Sequence, residues 1–400
     1  MKIAFVLTQS LDSPDGIGRC GPIARELVKL GHQAEIIALH PEWYSLEEKS
    51  YTSDGVKIHY VAPMHVRKDK GVKTYYPEGK LIALAVKASI KLSTAILKSN
   101  AEIVHVFKPH PMNIIAGLGS KFFKQKPLYL DIDDYEAVSG HFQSSWQKYV
   151  VTSVEKRTPQ FAEVVTTNTS FMREKLISWG IPENRIFYLP NGVERSRFQY
   201  KNDKKINKLK NQLKLNGKKV ISFVGSLSCP SHPVNLLIEA YKQIHLKIPD
   251  SVLLLVGSGE AESKLQQQVE RLGLSSYVHF CGFIPPADVP NYYYLSDVSV
   301  DPVNDDDIAR SRLPLKMFES WACDIPFVTG NVGDRGILLG FPPAGSLANP
   351  GDPDSLATEI IRILCDNELS KTLTRRGTER VKEYYWDKLT HRLETIYLKH

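Results

Sequence analysis

Short apolar runs alternate with amphipathic helical stretches along the whole 400-residue chain, and that alternation admits few folds. In the first half the runs are Ile3–Leu7, Ala34–Leu39, Ile103–Phe107, Leu128–Ile132, Val164–Thr167 and Ile186–Leu189. In the second they are Val220–Val224, Val252–Val256, Val278–Phe280, Val298–Val300 and Pro326–Val328. Continuous rather than alternating apolarity suits strands covered on both faces, so the chain reads as α/β with parallel, doubly wound sheets. A polar, lysine-rich stretch over 201–219 separates the halves. The expected organisation is an N-terminal domain over 1–200, joined by the closing helix 385–400, and a second domain over 201–384. With 42% hydrophobic residues there is material for two cores.

The charge balance, 51 Lys+Arg against 44 Asp+Glu, is +7. That favours anionic partners such as nucleotides or a phospholipid surface, and it is too small to imply nucleic acid. Five scattered cysteines without CxxC spacing suit a reduced, cytoplasmic protein and no zinc site. "MKIAFVLTQS" is too short an apolar stretch for a signal peptide, and no run is long enough to span a membrane. The segment 80–99 is apolar with lysines spaced along it. It fits an anionic membrane surface, although a helix covering the first sheet with snorkelling lysines is the plainer account.

In doubly wound sheets ligands bind beyond the carboxyl ends of the strands, and in a two-domain protein the cleft between domains is the usual place. After the first strand, "DGIGRCG" offers Gly16 and Gly18 ahead of a helix, either as a tight turn or as an anion-binding loop. Lys108 and His110 follow the strand ending at Phe107. Asp131, Asp133, Asp134 and Glu136 follow the next. Both clusters are candidates for lining the cleft. The run "NDDD" over 304–307 suits a polar loop better than a metal site. In the second half, Ser226 and His232 sit after one strand and Gly257 after another. "SRLPLKMFESWACDIPFVTG", 311–330, places Lys316 and Glu319 one turn apart on a short helix beside Arg310 and Arg312. A solvated face would explain that spacing; so would a ligand site.

Taken in order, these pieces resemble the retaining glycosyltransferases of family 4, with GT-B architecture. The likeness runs from the glycine loop through "PNGVERSRF", "LLLVGSGE" and "VHFCGFIPPADVPNYYYLSDVSVDP" to "FESWACDIPFVTG". It implies that Glu319 binds the ribose hydroxyls of a nucleotide-diphosphate sugar. The family's first glutamate falls on Ser311, and the arginine and lysine that clasp the diphosphate fall on Ser226 and His232. Lys316, in a "PLKMFE" version of the motif, with Arg310 or Arg312, is then expected to replace the lost charge. Gly257, Gly282, Phe283 and Leu315 fall at donor-side positions, and Gly16 and Gly18 would approach the phosphate from the other domain. The family's catalytic histidine falls close to Phe107, which makes His110 the candidate and leaves His105 to the core. Lys108, Asp133 and Asp134 are taken to line the acceptor side.

The expectation is a transferase moving a hexosyl group from a nucleotide-diphosphate sugar to a glycan or lipid-linked hydroxyl with retention, using no metal or other cofactor. It would be cytoplasmic, with room for a peripheral contact at the inner membrane face, and would have no nucleic-acid partner. A nucleotide-sugar epimerase of the same fold and a catalytically silent nucleotide-binding relative are the alternatives.

Overall fold

The computed structural model describes residues 1–14, 16–69, 72–229 and 231–399; Asp15 of the glycine loop lies outside them. The chain divides into two compact units. The first comprises Met1–Lys68, Lys73–Gly192 and Trp386–His400, and the second Val193–Tyr385 with Asp69–Val72. The boundary falls at 192/193 rather than 200/201. Val193 donates its N–H to Tyr384 O at 2.9 Å, and Phe198 is fully buried in the second unit's core. The polar stretch after it holds the helix Asp203–Gln212, capped by the Asn202 side chain.

The strands of the first unit are β1 (Lys2–Val6), β2 (Gln33–His40), β3 (Ser50–Ser53), β4 (Val56–Pro63), β5 (Val66–Asp69), β6 (Val72–Tyr75), β7 (Ile103–Phe107), β8 (Leu128–Ile132), β9 (Val164–Thr167) and β10 (Ile186–Tyr188). Eight of them form one sheet in the order β10-β9-β8-β7-β1-β2-β4-β3, and β5 pairs with β6 separately. Every pairing in the large sheet is parallel except β3 with β4. β7 and β8 are buried at every position, as continuous apolar runs in a covered sheet should be. Helices Glu78–Lys98 and Pro111–Lys124 share one core with the sheet. Helices Gly21–Lys29 and Trp386–Tyr397 pack on one another in a second core.

The second unit contains β11 (Lys219–Val224), β12 (Ser251–Val256), β13 (Val278–Gly282), β14 (Val298–Asp301), β15 (Phe327–Gly330) and β16 (Ser346–Ala348). Their order is β13-β12-β11-β14-β15-β16, parallel throughout. Each sheet reverses its winding once, between β1 and β7 in the first unit and between β11 and β14 in the second. Connections leave in opposite directions there, which opens a crevice at the carboxyl ends of the strands.

Candidate functional site

The second unit's crevice is built around one buried carboxylate. Asp301, the last residue of β14, is 1% exposed. Its Oδ1 accepts a hydrogen bond from Lys316 Nζ at 2.8 Å, and its Oδ2 lies 3.3 Å from an Arg335 guanidinium nitrogen. Burial pushes the Asp301 carboxyl up, but Lys316 and Arg335 outweigh it and hold the group well below the ordinary carboxylate range. Arg335 is itself buried and donates to Ala309 O at 2.8 Å. Lys316 reaches this point because the helix Leu315–Ala322 starts immediately after Pro314, whose extended backbone ends the preceding loop. Its ammonium also lies 4.9 Å from the Phe223 ring centre, at the end of β11.

His232 joins the cluster against the same ring, with centroids 6.0 Å apart. Desolvation first, and then the positive charge of Lys316 and Arg312, keep its imidazole neutral well below the usual histidine range. A neutral imidazole still offers an N–H to a phosphate. Arg312 donates to Ser231 O at 3.2 Å on the rim. Lys316 and Arg335 thus flank Asp301, with Arg312 lining the same pocket and Asp306 nearby capping the turn at Ala309. The cations outnumber the carboxylates at a strand edge beside a helix start, an arrangement suited to an anion.

One turn along, Glu319 is held from two sides. Tyr293 donates its hydroxyl to Oε2 at 2.9 Å, and Arg197 stands 3.8 Å from Oε1. Arg197 is braced by Pro286 O and by the Phe198 ring. A carboxylate has about four acceptor positions, so lone pairs remain for a diol. The helix then ends at Cys323. Asp324 takes a left-handed conformation (φ +59°) to leave it, and its backbone position explains how the chain turns into β15.

The other donor-side candidates scatter. Arg310 points away from Asp301: it is exposed and bound to Asp305 at 2.9 Å, so "NDDD" acts as a polar loop with its own counter-ion. Ser311 is buried and donates to Ile308 O, while Ser226 and Phe283 are exposed. Leu315 is the half-buried first residue of the helix. Gly257 and Gly282 meet where β12 and β13 end, Gly257 donating to Gly282 O at 3.0 Å. A Cβ at Gly257 would sit 1.9 Å from Gly225 O, so only glycine lets the ends of β11 and β12 approach.

In the first unit the glycine loop is one turn of π-helix over Gly16–Cys20 running into Gly21–Lys29. Gly16 packs on backbone: a Cβ there would lie 2.4 Å from Ser10 O. Its N–H is taken by Ser13 Oγ at 3.2 Å, and Gly18 O accepts from the Trp386 indole. Between these glycines and Gly21, Arg19 is buried and forks onto Asp131 at 2.9 and 2.7 Å. It also bonds Asn191 Oδ1, Pro190 O and Leu189 O. Asp131 therefore locks the loop and does not line an open surface. The Pro-Asn-Gly motif is the other half of that lock.

Lys108 has a left-handed backbone (φ +64°), uncommon for a residue with a Cβ. Its ammonium is 2.6 Å from Asp134, 3.0 Å from Glu136 and 3.6 Å from Asp133, so these three sequence candidates come together with Glu136. His110 Nε2 is 3.5 Å from Glu136 Oε2. Burial raises the Glu136 carboxyl, and Lys108 and His110 outweigh that and lower it. Beneath lies fully buried Glu155, which accepts the N–H groups of Glu136 and Ala137 at 2.8 and 3.0 Å. Burial and then the Glu136 charge push it up to about 8. His105 is a core residue at 0% exposure, with Nδ1 2.5 Å from Tyr397 OH.

Arg19, Asp301, Tyr293, Arg197 and Glu155 carry much of this geometry, and the motifs alone assign none of them a role. Their partners are distant in sequence. Only the placement of Asp301 at a strand's carboxyl end would have singled one of them out, as it does Asp131, the partner of Arg19.

Two Rossmann-like parallel α/β units, each with its crevice at a winding reversal, define the GT-B fold of glycosyltransferases. Anabaena HepE, solved with UDP-glucose, is 21% identical with a TM-score of 0.75, each chain covered in full. Residues 22–197 match glycosyltransferase family 4, and residues 218–366 match the glycosyl transferases of group 1. The chain belongs to this family of group 1, family 4 glycosyltransferases. An uncharacterized glycosyltransferase of Methanocaldococcus jannaschii is 24% identical over 406 residues, covering 99% of this chain and 98% of that one. A GDP-mannose-dependent alpha-(1-6)-phosphatidylinositol monomannoside mannosyltransferase of Mycolicibacterium smegmatis is 25% identical over 225 residues, 54% of this chain and 57% of that protein.

Proposed function

We propose that this glycosyltransferase moves a hexosyl group from a nucleotide-diphosphate sugar to a hydroxyl of a glycan or lipid-linked acceptor, with retention at the anomeric carbon. The observation that carries the reading is the single helix Leu315–Ala322, which presents Lys316 beside Asp301 and Arg335, and Glu319 one turn later. Lys316, supported by Arg335, Arg312 and the N–H of neutral His232, stabilises the leaving diphosphate. Glu319 accepts from both ribose hydroxyls. Charge lost at Ser226 and His232 is thus supplied from Lys316. Relatives support the donor class: HepE was solved with UDP-glucose, and the mycolicibacterial relative is named for GDP-mannose and a lipid-linked acceptor.

In the reaction, the bond from the anomeric carbon to the diphosphate oxygen breaks and the acceptor oxygen bonds to the same face. The acceptor proton passes to the leaving phosphate, so no protein base or metal is assigned. Lys108, Asp133 and Asp134 are assigned to the acceptor, and His110 to the sugar. The test is to incubate the protein with UDP-, GDP- and ADP-hexoses and an acceptor panel, reading the product's anomeric coupling by proton NMR. An α-linked product from an α-configured donor is expected. A β-linked product overturns retention, and an isomerised donor without transfer overturns the transferase reading in favour of an epimerase.

A further inference from the structure

Glu155 is an acid buried where hydrophobic packing alone would not put one. It lies on the helix Ser145–Arg157 at 0% exposure, flanked in sequence by half-buried Val154 and exposed Lys156. The elements packed on this helix are Pro111–Lys124, Glu136–Ser139 and the turn Thr158–Phe161. The turn carries no charged residue, Lys121 of the first helix is paired with Glu163, and Lys124 ends that helix. Among the described residues no cation acts on Glu155. The charges that do act on it belong to Glu136 and Asp134, both of its own sign. Burying a carboxylate against like charge is unfavourable, so this one has to be held by what it bonds.

One Glu155 oxygen accepts the N–H of Glu136 at 2.8 Å, and the other accepts that of Ala137 at 3.0 Å. A glutamine would offer a single carbonyl and turn an NH2 towards the second N–H, so two consecutive amides held by separate oxygens call for a carboxylate. These amides open the turn Glu136–Ser139 and fix where the Glu136 side chain leaves the backbone. From there its carboxylate reaches Lys108 at 3.0 Å and His110 at 3.5 Å. The other side of the cluster is pinned as firmly. Asn113, also at 0% exposure, donates to Phe107 O at 2.6 Å and to Lys108 O at 2.9 Å, which fixes the left-handed backbone of Lys108. We propose that Glu155 is a positioning residue for glycosyl transfer: through the Glu136 and Ala137 amides its carboxylate keeps Glu136 on Lys108 and His110, and protonating it relaxes the acceptor side. The role rests on the assignment of Lys108, Asp133 and Asp134 to the acceptor. Burial and the Glu136 charge push Glu155 up to about 8. Below that pH one of its oxygens becomes an O–H and accepts more weakly, while Glu136, held low by Lys108 and His110, stays ionised.

The test follows the Glu136 and Ala137 amide protons by NMR on the whole protein from about pH 6 to about pH 10, around the Glu155 value. Acceptor kinetics are measured over the same range with the nucleotide-hexoses and acceptor panel of the transfer assay. In the wild type both amides should move downfield together as pH rises through about 8. Acceptor kcat/KM should rise on the order of tenfold over that interval, chiefly through KM, as expected for a charge-assisted hydrogen bond gained. Glu155→Gln should abolish the amide titration and hold kcat/KM near the wild type's low-pH value throughout. Its melting temperature at about pH 9 should not fall below the wild type's, because a carboxyl raised on folding loses stability as pH rises through its folded value. Its nucleotide-induced shift should match, since Lys316 and Glu319 lie in the second unit. Amides that do not titrate in the wild type overturn the proposal, whatever becomes of the variant. A variant that transfers with the wild-type pH profile overturns it too. A wild type whose amides titrate but which transfers to no acceptor overturns the transferase reading, and the role in transfer with it.

Discussion

Replacing Asp301 by Asn tests whether the second unit stores a counter-ion where the diphosphate is to bind. The carboxylate is 1% exposed and lies 2.8 Å from Lys316 and 3.3 Å from Arg335. The amide keeps the shape but loses the charge and turns an NH2 donor towards one of two buried cations. Removing one partner of a buried pair typically costs about 3–5 kcal/mol, and the retained carbonyl argues for the lower end, ~3 kcal/mol. In a domain of this size that is a fall of about 6–12 °C in Tm. A nucleoside diphosphate would return negative charge to the same cations. The variant should therefore regain more of its loss on adding UDP or GDP than the wild type gains, because the ligand binds only the folded state. Thermal melts with and without nucleotide read both effects. A fall under ~2 °C would show that the pair contributes little beyond the ordinary surface-substitution range, and a nucleotide shift no larger than the wild type's would show that the anion does not meet Lys316 and Arg335.

Arg197→Ala removes a cation 3.8 Å from Glu319; the nucleotide Kd should rise on the order of tenfold by equilibrium titration, as expected for a lost charge-assisted contact. Gly16→Ala drives a methyl to 2.4 Å from Ser10 O and should cost about 2 kcal/mol or more. Gly119→Ala, with nothing near its side-chain position, should be neutral or slightly stabilising in the same denaturant titration. His105, lowered to about 4 chiefly by burial, takes up its proton in the unfolded chain first. Stability should therefore fall as pH drops from about 6.5 to about 4, by about 3 kcal/mol in all, and His105→Phe should flatten that part of the pH profile.

The buried parallel strands were legible because their apolar runs are continuous, as in "IVHVF" and "LLLV". The five strands not read from the sequence are the ones lacking that mark. "SYTS" is a polar, antiparallel edge, "VKIHYVAP", "VRKD" and "VKTY" are interrupted by polar residues, and Ser346–Ala348 has only three residues. Lys316 and Glu319 stood out because a helix repeats every turn and their neighbours were apolar. Arg310 and Arg312 looked equivalent beside them. Which of the two faces the crevice depends on the turn Asp307–Arg310, which directs Arg310 to Asp305 and Arg312 towards Ser231. Arg19 with Asp131, and Asp301 with Arg335, are pairs across crossovers. Nothing local to either residue reveals its partner.

The most direct test of the central claim compares two ligands on two proteins. The affinities of a nucleoside diphosphate and of its 2′,3′-dideoxy analogue are measured for the wild type and for Glu319→Ala by calorimetry. If Glu319 holds the ribose hydroxyls, the substitution weakens the natural nucleotide and leaves the dideoxy analogue's affinity unchanged. An equal loss for both ligands, or none for either, would contradict the assignment of this helix as the donor site.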